Sequence, residues 1–354
     1  LLEERPRETD EDRLGFILEG QRHCDHFLTP LADPRDKSVL VLGAGAGTEI
    51  LWCLRHGARE VVGIDILEQR TAALERAVEE LGLPPAPLSV LRSSIEEAVT
   101  LGRRFDLVLS NNVFEHVTDL ARAFAACAEL VEPGTGRIAI FTAPLYYSSA
   151  GSHLPTEPWE HLWEAPGVLR QRVLGLLPPR HPLQDLELRD YLDREISLSR
   201  MRLGELLAAV ASSGLVLLNL RLLSDRRLQD LPAHLHRLAP ALRGEGLTLA
   251  DLALEGIGLE LMRLGEDALA AQPAATEEIL LTRQRAELGE QFAALAQRLR
   301  ELEAEIDRLR DESLHHQRTA ADVKRVLDAV AASWSFRLGR LVTAPFRWLR
   351  NKLS

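Results

Sequence analysis

The sequence predicts an α/β protein, a mostly parallel sheet with helices on both faces, followed by a long coiled-coil helix. Three observations carry this expectation. Across 38–263, short β-rich runs alternate with helical patterns, as expected of strand–helix–strand units. After a break at Gln272-Pro273, the residues Leu288, Phe292, Leu295, Leu299, Leu302, Ile306 and Leu309 follow a four-three spacing, which is a heptad seam. The final segment, 334–354, has five cations and no acid.

Taken in order, 1–37 reads as an N-terminal helical segment and 38–263 as the α/β domain. Five strands are expected first, at 39–42, 61–64, 88–91, 105–109 and 137–142, with helices between most of them. Two later runs, 215–223 and 257–262, complete the sheet. The alanine-rich stretch 264–278 is a linker, 279–333 the coiled coil, and 334–354 a basic amphipathic tail. A helix over 281–334 would be about 80 Å long at ~1.5 Å per residue.

Composition excludes several classes. A net charge of −11 over 354 residues argues against a general nucleic-acid binder, which needs a basic surface to neutralise phosphates. Cys24, Cys53 and Cys127 form no CxxC pair, so neither a metal site nor a disulfide framework is expected. Without an eighteen-residue apolar run or an apolar leader, the expected location is the cytoplasm.

The segment Val39-Leu-Val-Leu-Gly43-Ala-Gly45-Ala-Gly47-Thr48 sets three alternating glycines between an apolar strand and a helix starting near Glu49. Glycine lets backbone approach a ligand closely, and the first amides of a helix suit an anionic group such as the carboxylate of a methionine moiety. The next strand ends in Asp65, whose carboxylate can accept both ribose hydroxyls. Two cofactors are therefore in view. A nicotinamide fingerprint, GxGxxG or GxGxxA, needs a third small residue, and Thr48 stands there, which favours S-adenosylmethionine over NAD.

Next comes Phe105-Asp-Leu-Val-Leu-Ser110-Asn111-Asn112-Val-Phe-Glu115-His116, a strand running into a polar loop. It resembles the corresponding motif of class I S-adenosylmethionine-dependent methyltransferases. With the glycine loop, Asp65 and the Pro133-Gly134-Thr-Gly136 entry to a strand, the resemblance spans 38–263. It implies a Rossmann-like seven-stranded sheet whose last strand is antiparallel. It also implies cofactor contacts from Gly43, Gly45, Gly47, Asp65 and Asn111. The family usually carries an acid where Val41 stands and another at Ser94, which meets the adenine amino group. Here Ser94, or Glu96 beside it, is left for that contact.

The loop after the fifth strand, from Ala143 to His153, and the following Pro158-Trp159-Glu-His161-Leu-Trp163 concentrate aromatic and histidine side chains. In this fold the loop faces the acceptor. Methyl transfer from sulfonium to oxygen is an in-line displacement that needs alignment and removal of a proton. Histidine, with a pKa near neutrality, suits that role. His153 is the expected base and His116 a second catalytic candidate, while Tyr146, Trp159 and His161 are expected to contact the acceptor. No Asn-Pro-Pro-Tyr-like motif or Pro-Cys pair is present, which disfavours nucleic acid as the acceptor.

The run from Ser333 to Arg347 resembles a tail on bacterial surface-polysaccharide enzymes, so the expected acceptor is a sugar hydroxyl in a glycan intermediate. Methylation of another small molecule or a lipid, an NAD-dependent oxidoreductase, and an inactive methyltransferase-like scaffold are the alternatives. The tail carries +5 and leaves −16 for the rest. On a helical projection Trp334, Leu338, Leu341, Val342, Phe346 and Leu349 share one face, as expected of a peripheral membrane contact on the inner leaflet.

The seam would leave an apolar stripe in water on a solitary helix, so self-association through 279–333 is expected. Sedimentation of the full chain at micromolar concentration should show a dimer or trimer. A chain ending at residue 265 should sediment as a monomer, and a monomeric full chain would place the stripe elsewhere.

Overall fold

A computed structural model of the protein describes residues 10–67, 69, 71–176 and 198–265, together with Gln297, Arg300, Glu301, Ala304, Arg308 and Lys324. The chain divides into two compact units, Leu1–Leu295 and Ala296–Ser354. In the second unit all six described residues are helical and exposed. The seam residues Leu288 to Leu309 and the tail 334–354 lie outside the described residues.

The first unit opens with α1 (Asp10–Phe27), then β1 (Ser38–Leu42), α2 (Thr48–Arg55), β2 (Glu60–Asp65), α3 (Ala72–Glu80) and β3 (Leu88–Arg92). There follow β4 (Leu107–Asn111), α4 (Leu120–Leu130), β5 (Arg137–Thr142), α5 (Pro166–Leu176), α6 (Leu203–Ser212) and β6 (Leu215–Ser224). The described part of this unit closes with α7 (Leu231–Gly244), α8 (Leu249–Ala253) and β7 (Leu254–Arg263). The seven strands form one sheet in the order β3-β2-β1-β4-β5-β7-β6. β1 to β5 pair in parallel, whereas β7 runs antiparallel between β5 and β6, as the family resemblance implied.

Both faces of the central strands are covered, so these strands are apolar throughout rather than alternating. Val39, Val41, Leu107, Leu109, Ala139 and Phe141 pack toward α1, α2 and α3. Their neighbours Leu40, Leu42, Val108, Ile138 and Ile140 point the other way, toward α4 and α6. The period of two in a strand produces this division. β3, at the sheet edge, leaves Leu91 exposed.

Several expected boundaries shift: the last strand begins at Leu254 rather than 257, and the others, except β5, move by one or two residues at one or both ends. The strand expected at 105–109 begins at Leu107 and runs to Asn111. Phe105 is fully buried, but it bridges to Val131 outside the named strands. Apolar character marks Phe105 for the core without telling ladder from bridge. The extra residues Ser110 and Asn111 are drawn into the ladder by pairing with Ile140 and Phe141 of β5.

The segment after β5 is stapled to the β6–β7 side of the sheet. Asp225 Oδ2 accepts from the Ser149 backbone N–H at 2.5 Å and Oδ1 from the Ser149 hydroxyl at 2.8 Å. Leu145 N–H donates to the Glu255 carbonyl at 2.8 Å, and the Glu255 carboxylate is forked by Arg226. Inside the segment Trp159 N–H reaches the Ser149 carbonyl at 2.9 Å, and His161 Nε2 donates to the Tyr146 carbonyl at 2.5 Å. His161 is buried, and that burial, more than the neighbouring charges, pulls its pKa down to about 4. Among the described residues no helix is long and apolar enough to cross a membrane.

Because the folded pKa of His161 lies below the ordinary 6.5, the neutral ring contributes stability above pH 6.5 that is lost as pH falls toward 4. The shift corresponds to about 3 kcal/mol. Melting His161→Gln beside the natural protein across that window should show a smaller acid-side loss in the variant. Parallel curves would mean that His161 does not hold this segment in its neutral form.

Candidate functional site

The parallel strands reverse their order between β1 and β4, where neighbouring connections leave in opposite directions. In such sheets the crevice lies at the carboxyl ends of the strands at this switch point. The glycine loop leaves β1 there. Gly43 and Ala44 N–H both donate to the Ile64 carbonyl of β2, at 2.9 and 2.8 Å. That anchor forces a left-handed path, with φ of 73° at Gly43 and 48° at Gly45, values that glycine adopts without strain. A Cβ on Gly43 would lie 2.3 Å from Val113 Cγ2, whereas one on Gly45 would meet nothing within 4 Å. The first glycine is therefore required by packing, and the second borders open space. Gly47 caps α2 with φ 104°.

Asp65 ends β2 beside this loop. Its Oδ2 accepts from Gly45 N–H at 2.9 Å and its Oδ1 from Leu67 N–H at 2.8 Å. The glycine turn thus presents the acid and its own backbone to the same space. Thr48, the residue that separates the two cofactor fingerprints, is buried. Its methyl faces α1, since a Cβ on Gly20 would come within 2.6 Å of Thr48 Cγ2.

Across the crevice, Asn111 closes β4 and donates from Nδ2 to Glu49 Oε1 at 2.7 Å. Asn112 follows with φ 53°. Three buried polar atoms here, Thr48 Oγ1, Asn111 Oδ1 and Asn112 Oδ1, have no hydrogen-bond partner of good geometry among the described residues. Such orphans cost about 1–3 kcal/mol each, and a second group of them, Ser148 Oγ, Trp159 Nε1 and His161 Nδ1, lies in the segment after β5.

On the β4–β5 side, His116 ends a short 3-10 turn (Phe114–His116). Its ring meets that of His153 edge-on, with centroids 5.6 Å apart. His153 sits at φ 56°, an uncommon conformation for a residue with a side chain. Its Nε2 lies 3.3 Å from the Pro144 carbonyl. A carbonyl only accepts, so this contact puts the ring proton on Nε2 and makes Nδ1 the basic nitrogen. The structure therefore brings the two catalytic candidates together.

The expected acceptor residues fare differently. Trp159 is fully buried, and Tyr146 and His161 are buried against each other with rings 5.1 Å apart. All three pack the segment from within: Trp159 is held through its backbone N–H on the Ser149 carbonyl, His161 Nε2 bonds to the Tyr146 carbonyl, and the Arg200 guanidinium lies 5.2 Å above the Tyr146 ring. Ser94 is likewise engaged. Its hydroxyl accepts from Glu97 N–H at 3.2 Å while its own N–H donates to Glu97 Oε2 at 3.0 Å, a reciprocal cap on the turn Glu97–Leu101. A cavity of about 870 Å³ is lined by Pro155 to Pro158, Trp163, Arg227 and Arg237 among others, and His153 is not part of its lining. Glu49 is the residue that sequence reasoning missed, since an acid in a helix's first turn has a sufficient reason to be there from the helix dipole alone. Among the described residues, no group of three or more His, Cys, Asp or Glu side chains is arranged to hold a metal ion.

Residues 40–140 match the protein-family model described as a methyltransferase domain. The ubiquinone biosynthesis O-methyltransferase of Azorhizobium caulinodans is 30% identical over 122 residues, covering 34% of this chain and 47% of the relative. That of Neisseria meningitidis serogroup C is 37% identical over 125 residues, covering 32% and 51%. The chain spans about half the length of these curated relatives. Among solved structures, an S-adenosylmethionine-dependent methyltransferase from Mesorhizobium loti is 18% identical with a TM-score of 0.41, covering 70% of this chain and 100% of its own. Geranyl diphosphate C-methyltransferase from Streptomyces coelicolor, solved with S-adenosyl-L-homocysteine, is 12% identical with a TM-score of 0.42, covering 73% and 85%. Structural likeness at these values has no bearing on chemistry. The glycine loop, Asp65, Ser94, Asn111 and His116 all fall inside the segment 40–140, which matches the methyltransferase domain family.

Proposed function

We propose that this protein is an S-adenosylmethionine-dependent O-methyltransferase. The observation that carries the reading is the cradle between β1 and β4: a glycine loop open at Gly45, Asp65 bonded to it, and orphaned acceptors on Asn111 and Asn112. These residues fit the cofactor. Asp65 suits the ribose hydroxyls, the start of α2 suits the carboxylate of its amino-acid end, and Asn111 borders that end. A nicotinamide cofactor fits less well, because the dehydrogenase sheet is parallel in the order 3-2-1-4-5-6 and here the antiparallel β7 lies between β5 and β6.

When bound, the cofactor supplies a methyl group activated on a sulfonium. The chain's own share of the reaction is placement and proton removal. His153 Nδ1 accepts the proton of the acceptor hydroxyl, and the Pro144 carbonyl and the His116 ring hold the imidazole in place.

We assign the acceptor as a sugar hydroxyl of a glycan intermediate. The C-terminal resemblance to surface-polysaccharide enzymes supports this, as does the cavity lined by Glu157, Glu160, Arg227 and Arg237, whose arginine and glutamate side chains suit vicinal hydroxyls. A second reading, a small-molecule or lipid acceptor, is favoured by the names of the relatives reported above, which are of ubiquinone biosynthesis. Labelled S-adenosylmethionine offered with glycan extracts and, separately, with lipid extracts containing ubiquinone precursors distinguishes them by where the label is recovered.

Asp65→Ala should weaken binding of S-adenosylhomocysteine at least about ten-fold by calorimetry, since hydrogen bonds to a charged group contribute ~1.5–3 kcal/mol each. Tight NAD binding, with none of S-adenosylmethionine or S-adenosylhomocysteine, would sink the reading. His153→Ala should lower single-turnover methyl transfer by about 10²- to 10⁴-fold and leave S-adenosylhomocysteine affinity unchanged. An undiminished rate in that variant removes the histidine from proton transfer.

A further inference from the structure

Glu49 stands in the first turn of α2, one residue beyond the capping Gly47 and Thr48. Its bond to Asn111 ties α2 to the end of β4 across the switch point. Among the described residues its only other side-chain contact is the Cys24 thiol, 4.0 Å from Oε1. Among the described residues no cation offsets the carboxylate there. Burial pushes its pKa up, and the Asn111 amide offsets this only in part.

The neighbouring groups do not supply a counter-charge. His23, which lies within weak bonding reach of Asn111, is held below its ordinary pKa by burial and by His26, so it is neutral at neutral pH. Burial pushes the Cys24 and Cys53 thiols up, so both keep their protons. What remains is the Glu49 carboxyl group and the buried Oδ1 of Asn111, which has no hydrogen-bond partner of good geometry among the described residues. With Glu49 ionised, both accept hydrogen bonds. Their complement is a partner that brings N–H donors and a positive charge, and an ammonium group has three donors and no acceptor. A part-buried carboxylate without such a partner is pushed toward its protonated form.

We propose that Glu49 and Asn111 together receive the ammonium group at the amino-acid end of the cofactor. This rests on the cofactor reading above and adds to it the group that sets the charge balance of the site. Glu49 lies beside the α2 start that suits the carboxylate of the same amino acid, so the two ends of a zwitterion are addressed by one helical turn.

Calorimetry on the full chain tests this with S-adenosylhomocysteine and its deaminated analogue, which keeps the carboxylate and the adenosine. The natural protein should bind the analogue at least about ten-fold more weakly, as expected for the loss of a charge-assisted pair. In Glu49→Gln, an isosteric change that keeps an acceptor toward Asn111, the two ligands should bind alike. If that variant fails to fold by circular dichroism, Glu49→Asp retains the charge but draws it back by one methylene, and most of the preference should again be lost. A folded variant that keeps the full preference overturns the inference, as does a natural protein indifferent to the amine. Failure of the natural protein to bind either ligand instead overturns the cofactor reading itself.

Discussion

The Ile64 carbonyl at the end of β2 accepts two hydrogen bonds, from Gly43 and Ala44, and the architecture of the site follows from that double acceptance. By pinning the start of the loop to the neighbouring strand, it prevents β1 from running on. The chain must then turn through positive φ, and the turn brings Gly45 N–H onto Asp65. Replacing Gly43 with any larger residue would combine the left-handed strain with the clash against Val113, a loss of about 1–3 kcal/mol for the backbone alone. α2 starts where it does because Gly47 ends this turn, and Glu49 reaches Asn111 because α2 starts there.

The rest of the domain holds that corner rigid. Central strands buried on both faces leave the sheet little freedom, and α1 is locked onto α2 by Gln21, whose amide donates to the Thr48 carbonyl at 3.0 Å. Trp52 of α2 donates from its indole to Asp25 of α1 at 3.0 Å. The acceptor side is held by different means. There the segment carrying His153 has little regular structure and depends on Asp225, Glu255 and His161 for its shape. On the function proposed above, a cofactor half built on strands and helices and an acceptor half built on a stapled loop would suit one cofactor and changeable acceptors.

Both halves keep buried polar groups left unsatisfied among the described residues. In the segment after β5, Ser149 and His161 Nε2 find partners, while Ser148 Oγ, Trp159 Nε1 and His161 Nδ1 do not. Around the glycine loop Thr48 Oγ1, Asn111 Oδ1 and Asn112 Oδ1 are left without one, and the Glu49 carboxylate has the Asn111 amide and the Cys24 thiol beside it. A protein retains such uncompensated groups at a cost of the order of a few kcal/mol. The cofactor reading explains that cost, because a zwitterionic nucleoside brings both the donors and the charges that the cradle lacks.

The strands, the glycine loop and Asp65 were legible in the amino-acid sequence. An apolar run buried on both faces, a turn that only glycine tolerates and an acid at a strand end are each decided within a few residues of backbone. Even so, local pattern could not separate Phe105, which bridges to Val131, from the ladder that begins at Leu107. The acceptor side was legible only as a concentration of aromatic and histidine residues. Which of them turn inward depends on Ser149 being held by Asp225, a partner 76 residues away. That one clamp buries Trp159 and His161 and leaves His153 beside His116. Glu49 is a further case, since its meaning comes from Asn111, 62 residues distant, and from the absence of any nearby cation among the described residues. Chain-local conformation is set by sterics and hydrogen bonds that neighbours in sequence share. The burial and charge balance of a side chain belong to whatever the folded chain brings against it, and only the tertiary structure decides that.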